Sequence, residues 1–135
     1  MFKNVNDQYG HLKGDEVLIN LTRLCHEHIR STDIFARFGG EEFVVLLVNC
    51  SRKDLFTIAD RIRIVTSELR LSEKKDNLSI TISIGGYYFD KNNILTGKEI
   101  IDKADQAMYE SKETGRNKCT IHSLGLYNRA LSLDL

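Results

Sequence analysis

An α+β fold, with an antiparallel-rich central sheet flanked by helices, is the expectation from three features of this 135-residue sequence. Apolar residues recur at helical spacing in three separate stretches, a tight reversal at Gly39-Gly40 joins two apolar runs, and one later stretch alternates strictly between apolar and polar residues. Together they give the order α-β-β-α-β-α-β on one domain, with no internal repeat and no low-complexity linker.

The first residues mix polar and glycine positions and read as a loop with one helical turn before Gly14. From Asp15 the positions Val17, Leu18, Leu21, Leu24, Cys25 and Ile29 define a helix ending near Arg30, with Asp15 placed where a carboxylate favours the helix dipole. Ile34, Phe35 and Phe38 lead into the reversal, and Gly39-Gly40 would supply the two positive-φ positions of a two-residue hairpin turn. The outgoing strand, Phe43-Val44-Val45-Leu46-Leu47-Val48, is apolar on both faces and is expected at the centre of the sheet. Ser51-Arg52-Lys53-Asp54 resembles a capping box, opening a helix with Leu55, Ile58, Ala59, Ile62, Val65 and Leu69 on one face.

Residues 72–77 form a polar connection. Leu78-Ser79-Ile80-Thr81-Ile82-Ser83-Ile84 then alternates as a strand with one buried face, which Gly85-Gly86 is expected to end or bend. Ile100, Ile101, Ala104, Ala107 and Met108 mark a third helix closed by Gly115, and residues 118–121 a short last strand. The domain is placed at residues 1–122. The tail, 123–135, fits either an apolar helix or a disordered end.

Nineteen basic and nineteen acidic residues cancel, so the composition offers no broad electrostatic footprint for nucleic acid or an anionic membrane, and any anion site must be local. The three cysteines, Cys25, Cys50 and Cys119, have no C-x-x-C spacing and lie in or beside apolar segments, as reduced packing residues would. No run reaches the length of a membrane-spanning helix and no signal-like stretch follows Met1, so a cytoplasmic location is expected.

The chemistry concentrates at Arg37-Phe38-Gly39-Gly40-Glu41-Glu42-Phe43. Two glycines let a phosphate approach main-chain N–H groups without a Cβ in the way, and adjacent carboxylates suit the magnesium that accompanies a nucleoside triphosphate. The plainer alternative is an exposed hairpin tip with two solubilising glutamates. Adjacent strand residues point to opposite faces, so Glu41 and Glu42 can serve one ion only if the turn distorts the pleat.

This stretch resembles the signature of the GGDEF family of diguanylate cyclases, with Glu at the third position. Two further motifs are similar to that family's at the expected order: Phe2-Lys3-Asn4-Val5-Asn6-Asp7-Gln8-Tyr9-Gly10-His11-Leu12-Lys13-Gly14-Asp15 to F-K-x-x-N-D-x-x-G-H-x-x-G-D, and Lys112-Glu113-Thr114-Gly115-Arg116-Asn117 to K-x-x-G-R-N. The resemblance implies a nucleotidyl-cyclase-like fold, condensation of two GTP into cyclic di-GMP by a homodimer, and a Mg2+ or Mn2+ cofactor. It implies Glu41 and Glu42 as catalytic and metal-binding residues. Lys3, Asn6, His11, Asp15, Gly39, Gly40, Lys112 and Arg116 would contact GTP, Asn6 and Asp15 reading the guanine edge.

Without the motifs, Asn6 would be a turn residue, Asp15 a helix cap, His11 a structural loop histidine, and Lys112 and Arg116 charges closing a helix. Arg30 and Asp33 stand in the R-x-x-D register of the family's inhibitory product site, with Arg61 as the supporting arginine; the alternative is a helix-end Arg paired locally with Asp33.

The family's domain begins with a helix and a strand carrying its first metal-binding Asp, and Met1 stands just before the Phe-Lys of the motif. Residues 1–135 alone are therefore expected to show little cyclase activity and to self-associate through the uncovered strand. A catalytically silent domain that binds GTP or cyclic di-GMP is the competing reading; a purely structural interaction domain would leave three polar motifs without a purpose.

Overall fold

A computed structural model describes residues 2–71 and 78–124, with the backbone alone for residues 2–4. In chain order the elements are α1 (Phe2–Tyr9), α2 (His11–His28), β1 (Ile34–Gly39), β2 (Glu42–Leu46), α3 (Arg52–Glu68), β3 (Ile84–Tyr88), α4 (Gly97–Glu113) and β4 (Cys119–Ser123). The α+β class and the order from α2 onward agree with the sequence pattern. The chain divides into two compact units, residues 1–50 with 64–80 and residues 51–63 with 81–135. Each is taken by itself.

In the first unit the expected loop before Gly14 is helical. α1 is short and polar, a length at which propensity alone does not hold a helix in water. It forms because Val5 is buried in a cluster with Val17, Leu71 and Ile80, flanked by Leu69 and Leu78. Gly10, at φ 86°, separates α1 from α2 while its N–H still donates to the Asn6 carbonyl at 2.9 Å. Asp15 consequently lies inside α2 rather than at its start, and its backbone needs no cap there. α2 buries Gly14, Val17, Leu21, Leu24 and Cys25, and burial pushes the Cys25 thiol up to about 11.

β1 and β2 form a two-stranded antiparallel sheet, with Phe35 stacked on Phe43 at 5.3 Å and tilted against His26 of α2 at 5.1 Å. The expectation that β2 is central is corrected: among the described residues its one neighbour is β1, and Val45, Leu46 and Val48 are exposed. An apolar run on both faces signals a strand but does not say what covers it.

The second unit is built on a β3–α4–β4 crossover, the parallel strands pairing Ile84 with Cys119 through Tyr88 with Ser123. The strand expected over residues 78–84 begins at Ile84 and continues through Gly85-Gly86 to Tyr88. The glycines are there for clearance: a Cβ on Gly85 would stand 2.0 Å from the Met108 nitrogen and 2.3 Å from the Ala104 carbonyl oxygen, so the α4 backbone lies directly on β3. Fully buried Ser111 ties the layers together by donating to the Ile84 carbonyl at 2.9 Å and bonding the Thr120 hydroxyl at 2.7 Å.

Ser51 caps α3 by accepting from the Asp54 N–H at 3.0 Å. α4 opens on a full capping box of Thr96 and Glu99 and closes as expected on Gly115, at φ 123°, with the Arg116 N–H reaching the Ser111 carbonyl at 2.9 Å. No described helix is long and apolar enough to cross a membrane. The connection at 72–77, and the tail from residue 125, lie outside the described residues.

Candidate functional site

The hairpin tip departs from the expected geometry in a way that favours a site. Gly39 is not a turn residue: it pairs with Glu42, and the two-residue turn is Gly40-Glu41, with positive φ (45°) at Gly40. A bulge between Arg37 and Gly39 supplies the register shift, leaving Phe38 as the extra, exposed residue. Glu41 is therefore in the turn and Glu42 opens the strand, so the alternation that would send successive strand residues to opposite faces does not apply between them.

Both glutamates are exposed, and a Cβ added at Gly39 or Gly40 would meet nothing within 4 Å. The backbone is thus open to a bulky anion from outside. Exposed carboxylate oxygens are hard donors of the kind magnesium and manganese take, and a cation held by one or two of them completes its shell with water and phosphate oxygens. Among the described residues no group of three or more His, Cys, Asp and Glu gathers as a fuller protein cage. The donor set fits a substrate-linked cation better than a structural one.

Arg37 was not singled out by sequence reasoning, yet its Nε and Nη2 both donate to the Gly40 carbonyl, at 2.9 and 2.5 Å. Its place two residues ahead of the glycine pair carried no signal of this by itself, because the contact depends on the bulge.

In the same unit, Asn6 is half-buried on α1, while His11 and Asp15 are exposed on the first turns of α2. Lys3 falls on α1, its side chain beyond the described atoms. In the second unit, Lys112 sits in the last turn of α4 and Arg116 just past its end, at φ 61° and with its guanidinium 3.5 Å from the Lys112 carbonyl. Arg61 is exposed on α3.

Arg30 and Asp33 form a local strut. The Asp33 carboxylate, with no exposed side-chain surface, accepts from the Arg30 N–H at 2.8 Å and the Val48 N–H at 3.0 Å, and lies 3.6 Å from the Arg30 Nε; Nη2 of Arg30 donates to the Val48 carbonyl. Burial alone would raise the Asp33 carboxyl, but the Val48 and Arg30 N–H groups and the Arg30 charge outweigh it and hold it below its ordinary value. A depressed carboxyl stabilises the fold above its unfolded pKa, near 4, and the stabilisation is lost as pH falls through the lowered value. Urea melts between pH 6 and pH 3 are accordingly expected to lose less stability on the acid side in Asp33→Asn than in the wild type.

The sheet pairs, the helix-docked hairpin and the paired carboxylates at an open glycine turn belong to an α+β domain. The family "Diguanylate cyclase, GGDEF domain" matches residues 1–118, and the chain belongs to it. It is 42% identical over 122 residues to Diguanylate cyclase A of Treponema denticola, covering 89% of this chain and 32% of that protein. The chain spans about a third of the length of the first curated relatives it matches. Among solved structures, it superposes on the active GGEEF domain of a diguanylate cyclase from Vibrio cholerae with a TM-score of 0.81 at 37% identity, covering 89% of this chain and 75% of that one. The GGDEF domain of DgcB from Caulobacter crescentus, solved in complex with c-di-GMP, gives 0.80 at 30% identity, with 89% and 71% covered. The fold is therefore that of the GGDEF cyclase domains.

Proposed function

We propose that this domain condenses two GTP into cyclic di-GMP with release of pyrophosphate, working as a pair of facing copies. The observation that carries this is the pair of exposed carboxylates, Glu41 and Glu42, at a turn whose glycines leave the backbone open to a triphosphate. In each half-reaction the 3′-oxygen of one GTP bonds to the α-phosphorus of the other, the bond from that phosphorus to the bridging oxygen breaks, and pyrophosphate leaves with the electron pair. Glu41, in the turn, is the group to take the hydroxyl proton. Glu41 and Glu42 would hold a divalent cation, Mg2+ or Mn2+, whose chemistry is to neutralise charge on the phosphate oxygens.

Asn6 and Asp15 are assigned to the guanine edge, where an amide and a carboxylate match its donors and acceptor and reject adenine. His11 lies near them in sequence at the start of α2 and is assigned to the nucleotide. Lys3, Lys112 and Arg116 are assigned to the phosphates as charge-assisted donors. The test is chromatography of GTP incubated with Mg2+ and the domain, supplied ahead of Met1 with the D-x-D strand of a family member. Formation of cyclic di-GMP supports the assignment; GTP binding without product supports a silent effector instead.

Product feedback is assigned to Arg30, Asp33 and Arg61. The Arg30 side chain keeps 54% of its surface exposed while Asp33 anchors its backbone and its Nη2 donates to the Val48 carbonyl, so binding product would draw on the donors left over from that strut. A planar fork of this kind suits phosphate oxygens and guanine acceptors. Arg30→Ala is expected to weaken cyclic di-GMP binding by roughly 1.5–3 kcal/mol, the scale of a hydrogen-bonding charged group. Calorimetry decides it: unchanged affinity would leave Arg30 as a strut to Val48 alone.

A further inference from the structure

The contact between Arg37 and the Gly40 carbonyl has a directional consequence for the turn. That carbonyl belongs to the peptide joining Gly40 to Glu41, and no described peptide bond is cis. In a trans peptide the C=O and the N–H point in opposite directions across one rigid plane. Two guanidinium bonds to the Gly40 oxygen, from Nε at 2.9 Å and Nη2 at 2.5 Å, therefore fix the Glu41 N–H on the side facing away from Arg37. The Glu41 Cα lies in the same plane and is held with it.

The bulge makes this reach possible. Phe38 is the extra residue between Arg37, which pairs with Phe43, and Gly39, which pairs with Glu42. The base of the lever is firm, because Phe43 stacks on Phe35 and Phe35 packs on His26 of α2. The tip has no such support, since Gly39 and Gly40 have nothing within 4 Å of where a Cβ would stand. A glycine turn open to solvent on that scale samples many peptide orientations unless something holds it.

We propose that Arg37 is a positioning residue for the metal–triphosphate site: its fork locks the Gly40–Glu41 peptide so that the Glu41 N–H and carboxylate are presented together to an incoming cation–phosphate group. The inference rests on the hairpin being that site. Lysine cannot substitute, because an ammonium is a point donor and does not hold a peptide plane.

The test is NMR of the 15N-labelled 135-residue chain titrated with the Mn2+ complex of a non-hydrolysable GTP analogue, following paramagnetic broadening of the Gly40, Glu41 and Glu42 amides. In the wild type these amides are expected to broaden first. In Arg37→Gln and in Arg37→Lys the concentration needed is expected to rise by about fivefold or more, the scale of one or two hydrogen bonds, while the amide spectrum of α2 stays unchanged. A contact that merely stabilised the turn would leave the affinity where it was, so unchanged titration midpoints in both variants overturn the inference and leave the proposed function standing. Recovery of wild-type affinity in Arg37→Lys would equally overturn it, by showing that charge alone suffices. If the wild-type hairpin amides do not broaden at all, the site assignment fails and the inference fails with it.

Discussion

Glu41→Ala and Glu42→Ala are each expected to lower GTP conversion by several orders of magnitude in the domain supplied with the D-x-D strand, with the circular dichroism of the fold retained. Both side chains are exposed at the tip and take part in no described core contact, so stability gives no reason for the loss. Chemistry does: phosphoryl transfer depends on neutralising charge at the phosphate oxygens and on removing the hydroxyl proton, and in-line positioning has little else to work with. A cation held by so few protein carboxylates loses one of them by either substitution. Product formation at the wild-type rate in either variant would remove that glutamate from the site.

The second large effect concerns stability. Gly85→Ala would place a methyl 2.0 Å from the Met108 nitrogen and 2.5 Å from its Cα, and both are backbone atoms of α4 that no side-chain rotation can clear. The helix must lift off β3, which disturbs the Ser111 hydroxyl bonds to Ile84 and Thr120 beneath it. The cost is expected at about 3 kcal/mol or more, beyond ordinary overpacking of a core. Gly86→Ala, whose new methyl would meet the movable Ile121 Cδ1 at 2.5 Å, is expected to cost less. Urea denaturation of the two variants beside the wild type measures the order, and a Gly85→Ala midpoint close to wild type would contradict the packing.

Helix periodicity made α2, α3 and α4 legible, and the three polar motifs pointed to the family before any coordinates. Three of the departures share a physical origin in partners that lie far along the chain. α1 has too little intrinsic propensity to be read as a helix, and forms because Val5 meets Val17, Leu71 and Ile80. Alternation over residues 78–84 describes a face, whereas the ladder that makes a strand of Ile84–Tyr88 is provided by Cys119–Ser123. Gly85-Gly86 looks like a stop signal locally, and only the approach of α4 explains it as clearance. At the hairpin the residue types were right while the register was not: two glycines suggest a Gly-Gly turn, and the bulge at Phe38 moves the turn to Gly40-Glu41. That shift takes Glu41 out of the strand and puts Arg37 within reach of the Gly40 carbonyl, which residue types alone do not reveal.

A crystal structure with Mg2+ and a non-hydrolysable GTP analogue tests most directly whether this hairpin is the metal–triphosphate site. The cation is expected at about 2.1 Å from a carboxylate oxygen of Glu41 or Glu42, the distance magnesium requires, with phosphate oxygens facing the main chain of Gly39 and Gly40. Nucleotide bound with its cation away from both glutamates, or a hairpin left bare at saturating ligand, would contradict the assignment.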